Sequence, residues 1–245
     1  PGEEEEEEEE EIIPNGKKLY LSTEGNNNND GLTPATAKAT FAKAVAAALD
    51  GDTIIVADGL YSEAYEIKFE KLGVVVMAAE GAKPVVQLTG QWTSIILMAT
   101  TTFDGITFDG AGIAYYLLSS KGTDAGTFTF KNCEFTNWDS YWAISNQYSD
   151  NTHVKSVVVD NCVFHDATGA AIHFNENGPR GAHACDNLTI TNSTFYNLSV
   201  VEWVGIIQLD GNSGAKQPNN LTIDHITMYN YKTSELGGIV SDVKT

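Results

Sequence analysis

TTFDGITFDG at 101–110, FTFKNCEFTN at 128–137, VVVDNCVFHD at 157–166, LTITNSTFYN at 188–197 and LTIDHITMYN at 221–230 are variants of one pattern. Aligned, they place Gly105, Asn132, Asn161, Asn192 and His225 in one column and Phe108, Phe135, Phe164, Phe195 and Met228 in another. The spacings along the first column are 27, 29, 31 and 33 residues, and recurrence at such a period signals a solenoid. Within a repeat the apolar residues alternate, as at Leu188 and Ile190, so each coil consists of strands joined by turns. The Asn column marks a tight turn in which one residue takes left-handed backbone angles, which Asn and Gly tolerate best. Successive coils then pair as parallel strands about 4.8 Å apart. Cys133 and Cys162 share a column with Ser193 and Ile226, which reads as small side chains stacked at a turn rather than a redox pair.

Working outward, a further set of strands follows each column Phe: YWAISNQ from 141, GAAIHFNEN from 169, VGIIQLDGN from 204 and LGGIVSD from 236. Ile144, Ile172, Ile207 and Ile239 align as inward residues. Alternation then turns Ser145, His173, Gln208 and Val240 outward, with Gln147, Asn175, Asp210 and Asp242 two positions on, as a long flat polar surface. Upstream, residues 19–22 read as a strand and Asn26 to Gly31 as a turn. Thr40 caps a helix whose Phe41, Val45 and Leu49 form one apolar stripe, and Gly51 stops it. Residues 53–56 form a strand and Gly59-Leu60-Tyr61 a turn. The expected fold is all-β: a parallel β-helix over 18–245, with a cap at 18–51 and coils at 52–245. Residues 1–17 are an acidic disordered tether.

The formal charge is −19, and discounting the unbroken run Glu3 to Glu11 still leaves −10. With Arg180 the only Arg, the chain is poorly suited to a phosphate backbone, and nucleic acid is set aside as a partner. No stretch approaches the 18 or more apolar residues of a membrane-spanning helix, so the folded part is expected to be soluble. Three Cys without metal-ligand spacing point to neither a disulfide framework nor zinc. No signal peptide is evident. The chain ends straight after a strand, which reads as a truncated fragment or as an end covered by a surface protein partner.

The coils resemble those of the pectate-lyase-like superfamily of right-handed parallel β-helices. The opening, YLSTEGNNNNDG through the short helix to GDTIIVADGLYSE, is similar to the cap of chondroitinase B and alginate lyase-like surface proteins of Bacteroides-type bacteria. The Glu run resembles the acidic stretch behind the lipidated Cys of such surface lipoproteins. These likenesses imply an extracellular protein at the bacterial cell surface, meeting the membrane only through a lipid anchor. They also imply polysaccharide laid along the outward columns and the loops after residues 147, 175 and 210.

A lyase needs a group to neutralise a uronate carboxylate and a base for the adjacent carbon-bound proton. Arg180 with His173 or His183 can be assigned those roles, and Asn175, Glu176 and Asp210 can hold Ca²⁺ through oxygen. The family signature of two alternating Glu and a Lys finds only Lys244 in GGIVSDVKT from 237, with Gly and Ile where carboxylates are wanted. A hydrolase needs two carboxyls at set spacing, for which Asp210 and Asp242 stand in one column with Glu176 one coil earlier. Trp138, Tyr141, Trp142 and Trp203 can stack on sugar rings, although Trp142 aligns with core positions. The preferred reading is polysaccharide binding without a complete catalytic set, by Gln147, Asn175, Glu176, His183, Gln208, Lys216 and Trp203. Acidic charge favours a neutral glycan over a polyanion.

Overall fold

The structure, a computed structural model, describes residues 15–146, 152–174, 183–200, 205–209, 218–232 and 240–241. The chain is a right-handed parallel β-helix. Sheet I has eight strands, from Lys18–Leu21 and Thr53–Val56 through Thr127–Lys131, Val154–Asp160 and Cys185–Thr191 to Asn220–Asp224. Sheet II has seven, including Thr107–Asp109, Glu134–Thr136, Val163–Ala167, Thr194–Ser199 and Thr227–Lys232. Sheet III also has seven: Ile67–Phe69, Ile95–Leu97, Tyr116–Ser120, Trp142–Asn146, Ala170–His173, Ile207–Gln208 and Val240–Ser241. Like positions pair in register, as in Phe135 with Phe108 on one side and Phe164 on the other.

The alternation read in sheets I and II has the expected consequence. Phe108, Phe135, Phe164 and Phe195 are fully buried, and their rings stack at 5.3, 4.4 and 4.8 Å between centroids. Each such side chain removed from water contributes roughly 1.5–3 kcal/mol. Gly105, Asn132, Asn161, Asn192 and His225 all have left-handed φ, between 52° and 72°. Asn161 Nδ2 also donates to Asn132 Oδ1 at 2.7 Å, tying coil to coil. Asn137, Asp166, Asn197 and Asn230 form a second left-handed column, at φ of 47–56°. It closes the quoted repeats, where Asn and Asp tolerate the same left-handed angles as in the first column. Cys133 and Cys162 are buried free thiols, each donating to the carbonyl two residues before it.

At the N-terminal end, Lys17 already donates its backbone N–H to Asp52 Oδ1 at 2.6 Å, one residue ahead of the expected boundary. The helix spans Phe41–Ala47 and buries Phe41, Ala44 and Val45. Thr40 makes no side-chain cap. Instead Glu63 Oε1 reaches from the strand Leu60–Glu63 to accept from the Ala42 N–H at 2.9 Å. The helix stops before Leu49, which is 59% exposed rather than part of the apolar stripe. Leu60 and Tyr61 belong to a strand, Leu60–Glu63, and not to a turn.

Sheet III departs from expectation in two ways. Its last pair is Ile207 with Val240, not Ile239, so the alignment from 236 slips by one residue. A one-residue slip reverses which side chains share a face. The second departure is burial. Leu117, Ala143, Ala171 and Ile206 alternate with the inward column and should face outward, yet all are fully buried. Burial that runs on through consecutive residues, as in YLLSS, WAISN and AAIH, is the mark of a strand covered on both faces.

Candidate functional site

Burial of sheet III on both sides removes the open polar surface expected there. Ser145, His173 and Gln208 are 1%, 2% and 6% exposed, so this column is covered rather than presented to a ligand. The His173 ring lies flat on Trp142, with centroids 3.8 Å apart and planes within 3°. His183 is half-buried and leads into the sheet I strand Cys185–Thr191, not into the sheet III strand that carries His173. Gln147, Asn175, Glu176, Arg180, Trp203, Asp210, Lys216 and Asp242 lie outside the described residues. Trp142, read as core, is 7% exposed, and Trp138 is 1% exposed and joins the core as well.

What sheet III does present is its leading edge, where the chain turns in from sheet II. Tyr116 and Trp142 pair in register as the first residues of their strands. Tyr115 and Tyr141 precede them, and Trp92 stands three residues before Ile95–Leu97 one coil earlier. The backbone fixes these positions: Tyr115 N–H donates to Gln91 O at 2.9 Å and Trp142 N–H to Tyr115 O at 3.0 Å. Trp92 is 66% exposed, an unusual state for so large an apolar surface. Its ring is braced edge-on against Tyr115, with centroids 4.8 Å apart at 89°. Tyr141 sits 4.8 Å from Tyr115 and 5.2 Å from Tyr116. The Gln91 amide donates to the Tyr115 hydroxyl.

Below Tyr141 lies a polar shelf. Asp139 Oδ1 accepts from the Ser140 hydroxyl at 2.9 Å and from the Thr168 hydroxyl at 2.7 Å. The Ser140 N–H donates to Thr168 Oγ1 at 3.0 Å. Gly169 closes the ridge on the following coil, because a Cβ there would meet Tyr141 O at 2.1 Å and Trp138 Nε1 at 2.7 Å. Only a residue without a side chain lets these coils approach so closely. Of the ridge, Tyr141 and Trp142 were legible as stacking candidates. Trp92, Tyr115 and Tyr116 were missed, and the signal was the aromatic doublet repeated at 115–116 and 141–142 on adjacent coils.

A second cluster lies on sheet II. His165 Nε2 contacts Glu134 Oε1 at 2.7 Å and Nδ1 contacts Asp166 Oδ2 at 2.6 Å. Its ring stacks on Tyr196, which stacks on Tyr229. The bond from His165, then that from Asn197, holds the Asp166 carboxyl below its ordinary range, while burial raises the Tyr196 hydroxyl. The partners come from successive coils, so the cluster acts as a clasp between them.

No family model and no curated protein matches the chain. Among solved structures it is similar to a rhamnogalacturonan lyase, at 15% identity and a TM-score of 0.41 over 89% of this chain and 54% of that one. It is also similar to the pectate lyase Pel9A, at 16% identity and a TM-score of 0.40 over 89% of this chain and 70% of that one. The chain thus spans about half the length of the rhamnogalacturonan lyase.

Proposed function

We propose that this β-helix binds polysaccharide on the aromatic ridge at the leading edge of sheet III, and does so at the surface of a bacterial cell. The observation that carries the reading is Trp92, two-thirds exposed yet held by Tyr115 and backed by Tyr141. Sugar rings have apolar faces that pack on aromatic side chains, and an aromatic already fixed in place loses little freedom when a ligand arrives. The Ser140, Thr168 and Asp139 shelf supplies hydroxyl and carboxylate partners beside it. The run Glu3 to Glu11 supports surface display, since nine like charges repel one another and suit a solvated spacer.

The test is electrophoresis through gels cast with single polysaccharides, paired with assays for new reducing ends and unsaturated products. Retardation without product is the expected result. Release of either product would replace binding with turnover, and mobility unchanged in every polymer would refute the proposal.

A further inference from the structure

We infer that the ridge takes an uncharged glycan chain running along the helix axis, and that Asp139 sets the preference by turning away carboxylated sugars. This rests on the polysaccharide-binding reading and adds the ligand's class and direction.

The direction follows from which coils supply the rings. Trp92, Tyr115 with Tyr116, and Tyr141 come from three successive coils, and Tyr65, 84% exposed, stands two residues before Ile67–Phe69 on the coil before them. Neighbouring coils are spaced at about 4.8 Å. A chain crossing the axis would meet the rings of one coil only. A chain along the axis meets rings supplied by successive coils, from Tyr65 to a cluster in which Trp92 and Tyr141, two coils apart, have centroids 6.5 Å from each other.

The class follows from charge. Among the described residues, ridge and shelf positions 91–92, 115–116 and 139–142 include no Lys, Arg or His, His173 against Trp142 is only 2% exposed, and Lys68 near Tyr65 is already paired with Glu66 at 3.2 Å. A uronate carboxylate laid here would lose water without gaining a cation from the described residues and would face Asp139. A neutral sugar makes the opposite use of the same group. Both hydroxyl bonds from Ser140 and Thr168 end on Asp139 Oδ1, which leaves Oδ2 to accept from a ligand hydroxyl.

The experiment compares gel retardation in neutral polymers (a β-glucan, a galactomannan, an arabinogalactan) with that in polygalacturonate, alginate and chondroitin sulfate. It uses the full chain and the variants Trp92→Ala, Tyr141→Ala and Asp139→Asn, with thermal unfolding to confirm that each folds. At least one neutral polymer should retard the protein and no polyuronate should. Trp92→Ala and Tyr141→Ala should each weaken retention about tenfold or more. Asp139→Asn should admit polyuronate and weaken neutral retention, because an amide replaces the carboxylate that accepts from the ligand hydroxyl. For oligosaccharides of the neutral polymer, affinity should rise to about four residues, one per coil, and then level off. Polyuronate binding that is lost in Trp92→Ala would leave the binding reading standing and overturn the neutral class. Neutral binding indifferent to both aromatic substitutions would overturn the site, and affinity saturating at one or two sugars would overturn the direction. Asp139→Asn without any gain toward polyuronate would remove Asp139 from the account. Silence in every polymer would sink both this inference and the binding reading beneath it.

Discussion

Two groups of aromatic rings on this solenoid invite comparison, one file sealed inside and one at the edge of sheet III. In the inner file Phe135, Phe164 and Phe195 lie within 5° of parallel and are sealed from water. In the outer file Trp92, Tyr115, Tyr116 and Tyr141 meet at angles from 29° to 89°, with Trp92 largely exposed. Parallel stacking spends each ring face on the next coil. Tilted packing holds a ring by its edge and leaves a face open. The same residue class on the same repeat therefore serves stability in one file and contact in the other, and exposure rather than ring angle tells which, since buried Phe130 and Phe135 meet at 74° while Tyr196 and half-exposed Tyr229 stack within 1°.

The largest effect should come from the inner file. Phe164→Ala removes a ring stacked on both sides and should cost about 3–5 kcal/mol in urea unfolding. Trp92→Ala should stay within about 0.5 kcal/mol of the parent, as surface changes do. Equal losses would erase the distinction between the files. Gly169→Ala should follow at about 1–3 kcal/mol, because the new methyl meets the Tyr141 carbonyl and must push the coil aside. It should also disturb the ridge, so polysaccharide retention should fall with it.

Asn161→Ala should cost about 1–2 kcal/mol, since Ala pays for left-handed angles and the bond to Asn132 is lost. Asn161→Gly should recover part of that. Burial pushes the Cys185 thiol up to about 12 and raises Cys133 well above its ordinary value, so neither should react with a thiol reagent at pH 8 until urea opens the coils. The smallest effect is acid. Asp160, held down by Asn192 and Thr191, and Asp166, held down by His165 and Asn197, have folded pKa values below their unfolded ones. The stability they contribute is present above about pH 3.9 and is lost as pH falls through the folded values. Urea midpoints should thus decline only below about pH 4, and Asp160→Asn with Asp166→Asn should flatten that decline.

Sheets I and II were legible because one face meets the core and the other meets water, so period 2 and a turn residue recur at Phe135 and Asn132 alike. Sheet III was not, because burial on both faces leaves no alternation to read. Alternation turns Ser145 and His173 outward, whereas the successive apolar residues Trp142, Ala143 and Ile144, and Ala170, Ala171 and Ile172, belong to strands covered on both faces. The register slip at Val240 arose where Gly237 and Gly238 gave the alignment no side chains to hold it. The ridge was half visible, since Trp92, Tyr115 and Tyr141 fall between strands where the repeat alignment gives no column.

The most direct test of the outer file's role is acrylamide quenching of tryptophan fluorescence with and without a retained polysaccharide. Trp138 and Trp142 are buried and Trp92 is exposed, so Trp92 should supply most of the quenchable signal among the described tryptophans. Ligand should protect that signal in the parent protein and leave quenching unchanged in Trp92→Phe. Protection of equal size in Trp92→Phe, or none in the parent while the polymer is bound, would place the ligand elsewhere and contradict the account.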